Sequence, residues 1–181
     1  MTQLMTLEEV ADYLRVTKRT IYRLLERRII PSTKVGRQWR FDKASIDAWL
    51  SQSPPEAAAN ILVIDDDETI CSLFRDTLEE VGHTVTTASE SSKGLEFVKE
   101  QDYDLVLLDL KMPEMDGAEL FRQIRMVKPE LPVTIITGYP DSDLMMKALD
   151  YGPFGVMKKP FSGFDILSAV NNYLRFGMPT R

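Results

Sequence analysis

Cysteine and histidine are almost absent: Cys71 and His83 are the sole examples of each among 181 residues. One thiol cannot form an intrachain disulfide, so a disulfide-stapled secreted scaffold is excluded and a reducing compartment fits. A zinc site built from His and Cys clusters is excluded by the same scarcity. Cys71 falls in a helical pattern after an apolar strand, where a free cysteine behaves as a small buried hydrophobe. His83 is assigned no catalytic role. Long apolar runs are also missing; none approaches the roughly 20 residues of a membrane span. The opening Met1-Thr2-Gln3-Leu4-Met5-Thr6 lacks a basic stretch followed by an apolar one, so the expectation is a soluble cytoplasmic protein. Glycine is missing where a dinucleotide-binding turn needs it. The first strong apolar strand runs into Asp65-Asp66-Asp67, which would repel a pyrophosphate.

Charge is present but divided. Residues 1–53 hold ten Lys and Arg against six Asp and Glu, net +4, leaving twelve against twenty-two, net −10, for the rest. A basic piece joined to an acidic one indicates two domains with different partners. Between them Ser53-Pro54-Pro55-Glu56-Ala57-Ala58-Ala59 breaks both flanking patterns and reads as a linker over 53–59, separating a domain at 1–52 from one at 60–181.

The acidic part is organised around Leu105-Val106-Leu107-Leu108-Asp109. An uninterrupted apolar run ending in one carboxylate predicts a strand buried on both faces with its acid at the carboxyl end, where open α/β sheets place their chemistry. Strands over 60–64, 84–88, 104–109, 132–137 and 155–158 alternate with helices over 68–81, 90–100, 117–127, 141–150 and 162–176. Five βα units in alternation predict a doubly wound parallel sheet. Asp65 and Asp66, Asp109, Thr137 and the pair Lys158-Lys159 then all lie at strand ends. Carboxylates gathered at one sheet edge call for a cation, and hard oxygen donors in an open site suit Mg²⁺, with Mn²⁺ as a substitute.

In the basic part, Thr6-Leu7-Glu8-Glu9 is a capping box. Leu7, Val10, Ala11 and Leu14 repeat at helical spacing. Arg15-Val16 makes a tight turn, Thr17 can cap a second helix, and there Ile21, Leu24 and Leu25 face the first helix while Lys18, Arg19, Tyr22, Arg23 and Arg27 are left on or near the other side. Thr33 to Phe41 alternates around Gly36 and Arg37 as a two-stranded wing. Asp42 can cap a third helix containing Ile46, Trp49 and Leu50, and Trp39 and Trp49 are expected in the core. Two short helices with a basic second one predict helix-turn-helix DNA binding. Thr17, Lys18, Arg19, Thr20 and Arg23 are the candidates for the major groove, and Lys34, Arg37 and Arg40 for flanking phosphates or the minor groove. Solvated charges on a protein-docking domain are the alternative.

Two resemblances follow. Residues 5–50, with Thr-Leu-Glu-Glu-Val-Ala-Asp-Tyr-Leu and Gly-Arg-Gln-Trp-Arg-Phe, resemble excisionase-type (MerR-like) winged helix-turn-helix domains. Residues 60–178, with the acid pair, lone acid, hydroxyl and lysine in that order, resemble the receiver domain of two-component response regulators, a flavodoxin-like fold. The receiver resemblance implies that Asp109 accepts a phosphoryl group from a histidine kinase or phosphotransfer protein. It implies metal ligation by Asp66, Asp109 and the Lys111 backbone carbonyl, with Asp65 acting through a metal-bound water. Lys159, followed by a characteristically cis Lys-Pro bond, would pair with a phosphoryl oxygen, and Thr137 would donate to one. The family often carries an aromatic residue three positions before the lysine, where Val156 stands here; Phe154 is a candidate substitute. The expected protein is therefore a response regulator with its output domain first. It is not an enzyme beyond its own aspartyl phosphorylation and dephosphorylation, and the 141–176 face is a candidate for homodimerisation. A phosphorylation-controlled protein adaptor and an excisionase-like architectural factor are the alternatives. A Mg²⁺-dependent phosphatase is disfavoured, because Lys111 occupies the place of its second acid.

Overall fold

A computed structural model describes residues 4–26, 28, 30–50 and 58–176. Residues 53–57 of the expected linker, and Arg27 after the second helix, lie outside the described residues.

The acidic part is a five-stranded parallel sheet. Its elements are β4 (Asn60–Ile64), α4 (Glu68–Glu79), β5 (Thr84–Ala88), α5 (Ser91–Glu100), β6 (Leu105–Asp109), α6 (Gly117–Val127), β7 (Val133–Thr137), α7 (Asp143–Asp150), β8 (Gly155–Lys158) and α8 (Gly163–Phe176). The strand order is β5-β4-β6-β7-β8. β6 is central, and all five of its residues are buried. Successive side chains point to opposite faces of a strand, so the sheet has two apolar surfaces. Ile61 and Val63 meet α4 and α8 through Phe74, Leu78, Ile166 and Val170. Leu62 and Ile64 meet the other layer through Leu95, Phe121, Ile124 and Met145. Helices on both faces are what make the strands read as continuous apolar runs.

Element ends differ slightly from the sequence expectation, and the caps explain why. α4 stops at Glu79 rather than residue 81, because Gly82 takes a positive φ of 92° and its N–H turns back to Glu79 O. α7 starts at Asp143 rather than 141, because the Ser142 hydroxyl accepts the Met145 N–H. Ala59, placed in the linker by sequence, is already buried and donates to His83 Nδ1 at 3.2 Å.

The basic part comprises β1 (Leu4–Met5), α1 (Leu7–Leu14), α2 (Lys18–Glu26), β2 (Thr33–Val35), β3 (Gln38–Asp42) and α3 (Lys43–Leu50). Thr6 and Glu9 form the capping box, and Asp42 accepts the Ser45 N–H at the start of α3. Gly36 turns the wing at φ +62°. β1 pairs with the outer edge of β3, a strand too short for its periodicity to register in sequence. Val10, Leu14, Ile21, Leu24, Phe41 and Ile46 form this unit's core, and that core runs on into the α8 side of the sheet through Val16, Phe154 and Tyr173.

Candidate functional site

β4 and β6 are hydrogen-bonded neighbours at the middle of the sheet, so the residues leaving their carboxyl ends are brought together by the topology. Asp65, Asp66 and Asp109 each offer a carboxylate oxygen within 4.8 Å of the others. Asp65 is 0% exposed and Asp109 4%, while Asp66 is exposed at the mouth. Asp67 belongs to the helix instead: its Oδ1 accepts the Thr69 and Ile70 N–H groups and caps α4.

The roles of the three acids differ in what already occupies their oxygens. Asp65 Oδ1 accepts the Asp67 N–H at 2.9 Å, and Oδ2 receives the Lys159 ammonium at 2.8 Å. Lys159 reaches Asp109 less closely, at 3.4 Å. Burial, then the neighbouring Asp65 charge, push the Asp109 carboxyl up to about 6, against the pull of Lys159. Burial acts to lower the Lys159 ammonium, but its bonds to Asp65 and Asp109 outweigh that and hold it above its ordinary value. The result is a negative, desolvated pocket with one ammonium shared between two acids. Its hard oxygen donors fit a small divalent cation.

Thr137 ends β7 and is buried. Its hydroxyl accepts the Tyr139 N–H at 3.0 Å, and its carbonyl accepts the Lys159 N–H at 2.9 Å. In the β6–β7 register Asp109 faces Ile136, so Thr137 stands one residue further on at the same edge. Lys111 is exposed, with its ammonium 4.8 Å above the Tyr139 ring. The Lys159–Pro160 peptide is cis.

Two residues that shape the loop after Asp109 carry no motif. At Gly117 a Cβ would stand 2.3 Å from the Asp109 carbonyl oxygen and 2.5 Å from Leu110 Cα, so only glycine lets α6 begin against the acid strand. Buried Ser91 donates to the Met115 carbonyl at 2.9 Å and ties the loop to α5. Gly117 was legible as a turn residue; Ser91 was not, since its partner lies 24 positions away.

Val156 is half-buried and packs with the α5–α7 layer. Phe154 does not stand beside it. Its ring lies on the α8 side, edge-on to Tyr173 at 5.6 Å between centroids. It is thus no direct replacement for an aromatic at position 156.

The candidate DNA residues fall into two sets. Lys34 and Arg37 are exposed on the wing, and Arg40 is bound to its own hairpin at the Trp39 carbonyl and Gln38. Lys18 is exposed and paired with Glu8. Thr17, Thr20 and Arg23, candidates for the major groove, turn towards the sheet. Thr20 is 3% exposed and donates to the Phe154 carbonyl at 2.7 Å, Thr17 donates to the Pro153 carbonyl at 3.2 Å, and the Arg23 guanidinium lies 5.6 Å from the Phe154 ring centroid. Arg19, though exposed, lies against Gly152. The reason is that Phe154 and Tyr173 supply a second apolar wall, which a reading of α1 against α2 alone leaves out.

Comparison with known proteins agrees with this geometry. The family model described as response regulator receiver domain matches residues 61–171, and one described as helix-turn-helix domain matches residues 4–54. The chain is 38% identical over 110 residues to the transcriptional regulatory protein ZraR of Escherichia coli, covering 61% of this chain and 25% of that protein. It is 32% identical over 114 residues to sporulation initiation phosphotransferase F of Bacillus subtilis, covering 63% and 92%. The chain thus spans about a quarter of the length of the first of these relatives. A CheY-like receiver domain from Methanospirillum hungatei superposes with a TM-score of 0.62 at 28% identity, over 65% of this chain and 94% of that one. Sequence, sheet order and acidic pocket agree: the chain belongs to the response regulator receiver family.

Proposed function

We propose that this chain is a DNA-binding response regulator in which the output domain (1–52) precedes the receiver (60–181), and that Asp109 is its phosphoacceptor. The observation that carries the reading is the convergence of Asp65, Asp66 and Asp109 within 4.8 Å, with Lys159 bonded to two of them. An Asp109 oxygen attacks the phosphorus of a phosphohistidine on a sensor kinase or phosphotransfer protein. The O–P bond forms as the P–N bond breaks, and the imidazole departs with the electron pair. Asp66, Asp109 and the Lys111 carbonyl are the residues that would hold Mg²⁺, or Mn²⁺ in its place. Asp65, whose oxygens hold the Asp67 N–H and the Lys159 ammonium, would act through a metal-bound water. Bound there, the cation would offset charge on the transferred group. Lys159 is placed to exchange its carboxylate partners for a phosphoryl oxygen, and the Thr137 hydroxyl to turn from Tyr139 and donate to another.

The net +4 of the N-terminal part and its exposed Lys34, Arg37 and Lys18 support duplex DNA as the ligand of the output domain. Transcriptional control in the cytoplasm is the output this composition fits; among the described residues no helix is long and apolar enough to cross a membrane. We assign no turnover chemistry beyond formation and hydrolysis of the aspartyl phosphate. Incubation with a small phosphodonor and Mg²⁺, followed by intact mass measurement, tests the reading. Wild type should gain one phosphoryl group and Asp109→Asn none; equal gain in both removes Asp109 as the acceptor.

A further inference from the structure

A cleft of about 1030 Å³ lies between α1 and the start of α2 on one side and α7, β8 and the first turn of α8 on the other. It shares no lining residue with the acidic pocket. Its two walls are fixed to one another. The Thr17 N–H donates to the Phe154 carbonyl at 3.2 Å, and Val16 forms an antiparallel bridge with Gly155. A Cβ at Gly155 would lie 2.9 Å from the Arg15 carbonyl oxygen, closer than real Cβ atoms come to backbone, but 3.6 Å from Thr134 within the receiver. Glycine is thus what the close approach of the N-terminal domain requires there. The cleft beside that approach is preformed, as small-molecule sites at domain boundaries usually are.

Charge decides what such a cleft can hold. Four cations line it. Lys18 is paired with Glu8 and Arg15 with Asp165. Arg19 and Lys158, one from each domain, are exposed and have no ion-pair partner among the described residues. The Arg19 guanidinium lies against Gly152, 3.4 Å from where a Cβ would stand. The same loop holds Arg125, which donates to the Tyr151 carbonyl at 2.9 Å and the Gly152 carbonyl at 3.2 Å. Burial, and after it the Arg19 charge, lower the Arg125 guanidinium against the pull of Glu130. Two guanidiniums therefore meet at one loop and repel, which an anion on Arg19 would offset.

The remaining lining is apolar where the receiver supplies it, through Leu149, Pro153 and Val156. Exposed Asp12 on α1 offers an acceptor for an amino or hydroxyl group. A duplex backbone spread along the cleft would meet the carboxylates of Glu8, Asp12 and Asp165 and has no apolar group for that wall. A small molecule with one charged end and one flat ring matches both. We propose that this cleft binds a nucleoside phosphate, its phosphates held by Arg19 and Lys158 and its ring laid on Leu149, Pro153 and Val156. Arginine supplies a fork to two phosphate oxygens and lysine a point charge. The ligand touches both domains and stabilises their docked arrangement, independently of the chemistry at Asp109.

Calorimetric titration of the full chain with ADP and with GDP tests this in metal-free buffer at low ionic strength, where the acidic pocket repels free phosphates. Adenosine, guanosine and inorganic phosphate are the half-ligand controls. The expected result is one site, with at least one nucleotide binding about tenfold or more tightly than either of its halves. Amide hydrogen exchange should slow at residues 15–19 and 152–158. Lys158→Ala should weaken binding about tenfold, and Lys158→Arg should retain it. Leu149→Glu, at a side chain already 42% exposed, places a carboxylate on the wall and should abolish it. Circular dichroism and urea midpoints of the three variants should match wild type, so that lost binding is not lost folding. No binding of either nucleotide, or binding that Lys158→Ala and Leu149→Glu leave unchanged, overturns the proposal. Inorganic phosphate binding as tightly as the nucleotides also overturns it, leaving a bare anion site. So does a DNA duplex whose affinity falls in Lys158→Ala while both nucleotides stay unbound, since the cleft then serves DNA phosphates.

Discussion

The Lys159 ammonium lies 2.8 Å from Asp65 Oδ2 and is the cation that lets a wholly buried carboxylate stand beside Asp109. Removing one partner of a buried pair leaves an uncompensated charge. Lys159→Met should therefore destabilise the metal-free protein by about 2 kcal/mol, less than a fully buried pair would give because Lys159 is partly solvated. Urea unfolding measures it. Mg²⁺ should restore part of the loss, since the ion binds the folded state alone. An unchanged midpoint would show that Asp65 needs no partner.

Asp109 should give the protein an unusual pH dependence. Its carboxyl is raised from 3.8 to about 6, chiefly by burial, so the folded chain holds a proton that the unfolded chain releases. In metal-free buffer its contribution therefore disfavours folding above pH 6, by roughly 3 kcal/mol at most, and is relieved as pH falls through 6 towards 4. Asp109→Asn should abolish this slope and melt higher than wild type at pH 7.5. The depressed carboxyls of Asp67 and Asp165 act oppositely and lose their contribution only at lower pH. Parallel pH profiles for the two proteins would contradict the assignment.

Two glycines separate forgiving from unforgiving positions. A Cβ at Gly94 would meet the Ile64 side chain, nearest at its terminal Cδ1 at 2.6 Å; at Gly117 it would meet backbone of Asp109 and Leu110. Gly117→Ala should cost about 2 kcal/mol or more and depress phosphorylation of Asp109, whereas Gly94→Ala should cost under about 1 kcal/mol. Denaturant midpoints and intact mass after phosphodonor treatment check both.

The wing cations should act through phosphates. In the phosphodonor-treated protein, Arg37→Ala should lower the slope of log affinity against log salt by about 1 and weaken all duplex sequences alike. Sequence-dependent weakening would instead place Arg37 on base edges.

The receiver was legible because its information is local. Leu105 to Asp109 announces a buried strand with an acid at its end, and five strands alternating with helices allow few topologies. The order of Asp65, Asp66, Asp109, Thr137 and Lys159 then implies one sheet edge. The capping box at Thr6 and the turn at Gly36 were equally readable, because each is decided within four residues.

What amino-acid order alone determined is which residues are apolar, capping or charged, and hence two domains, their elements and the acidic pocket. The tertiary structure alone decided that Thr17, Thr20 and Arg23 face Phe154, that Gly155 is small because Arg15 passes over it, and that Phe154 looks away from Val156. The Thr20–Phe154 bond alone joins positions 134 residues apart. Periodicity reports which face of a helix seeks burial, but it carries no record of which distant surface will cover that face.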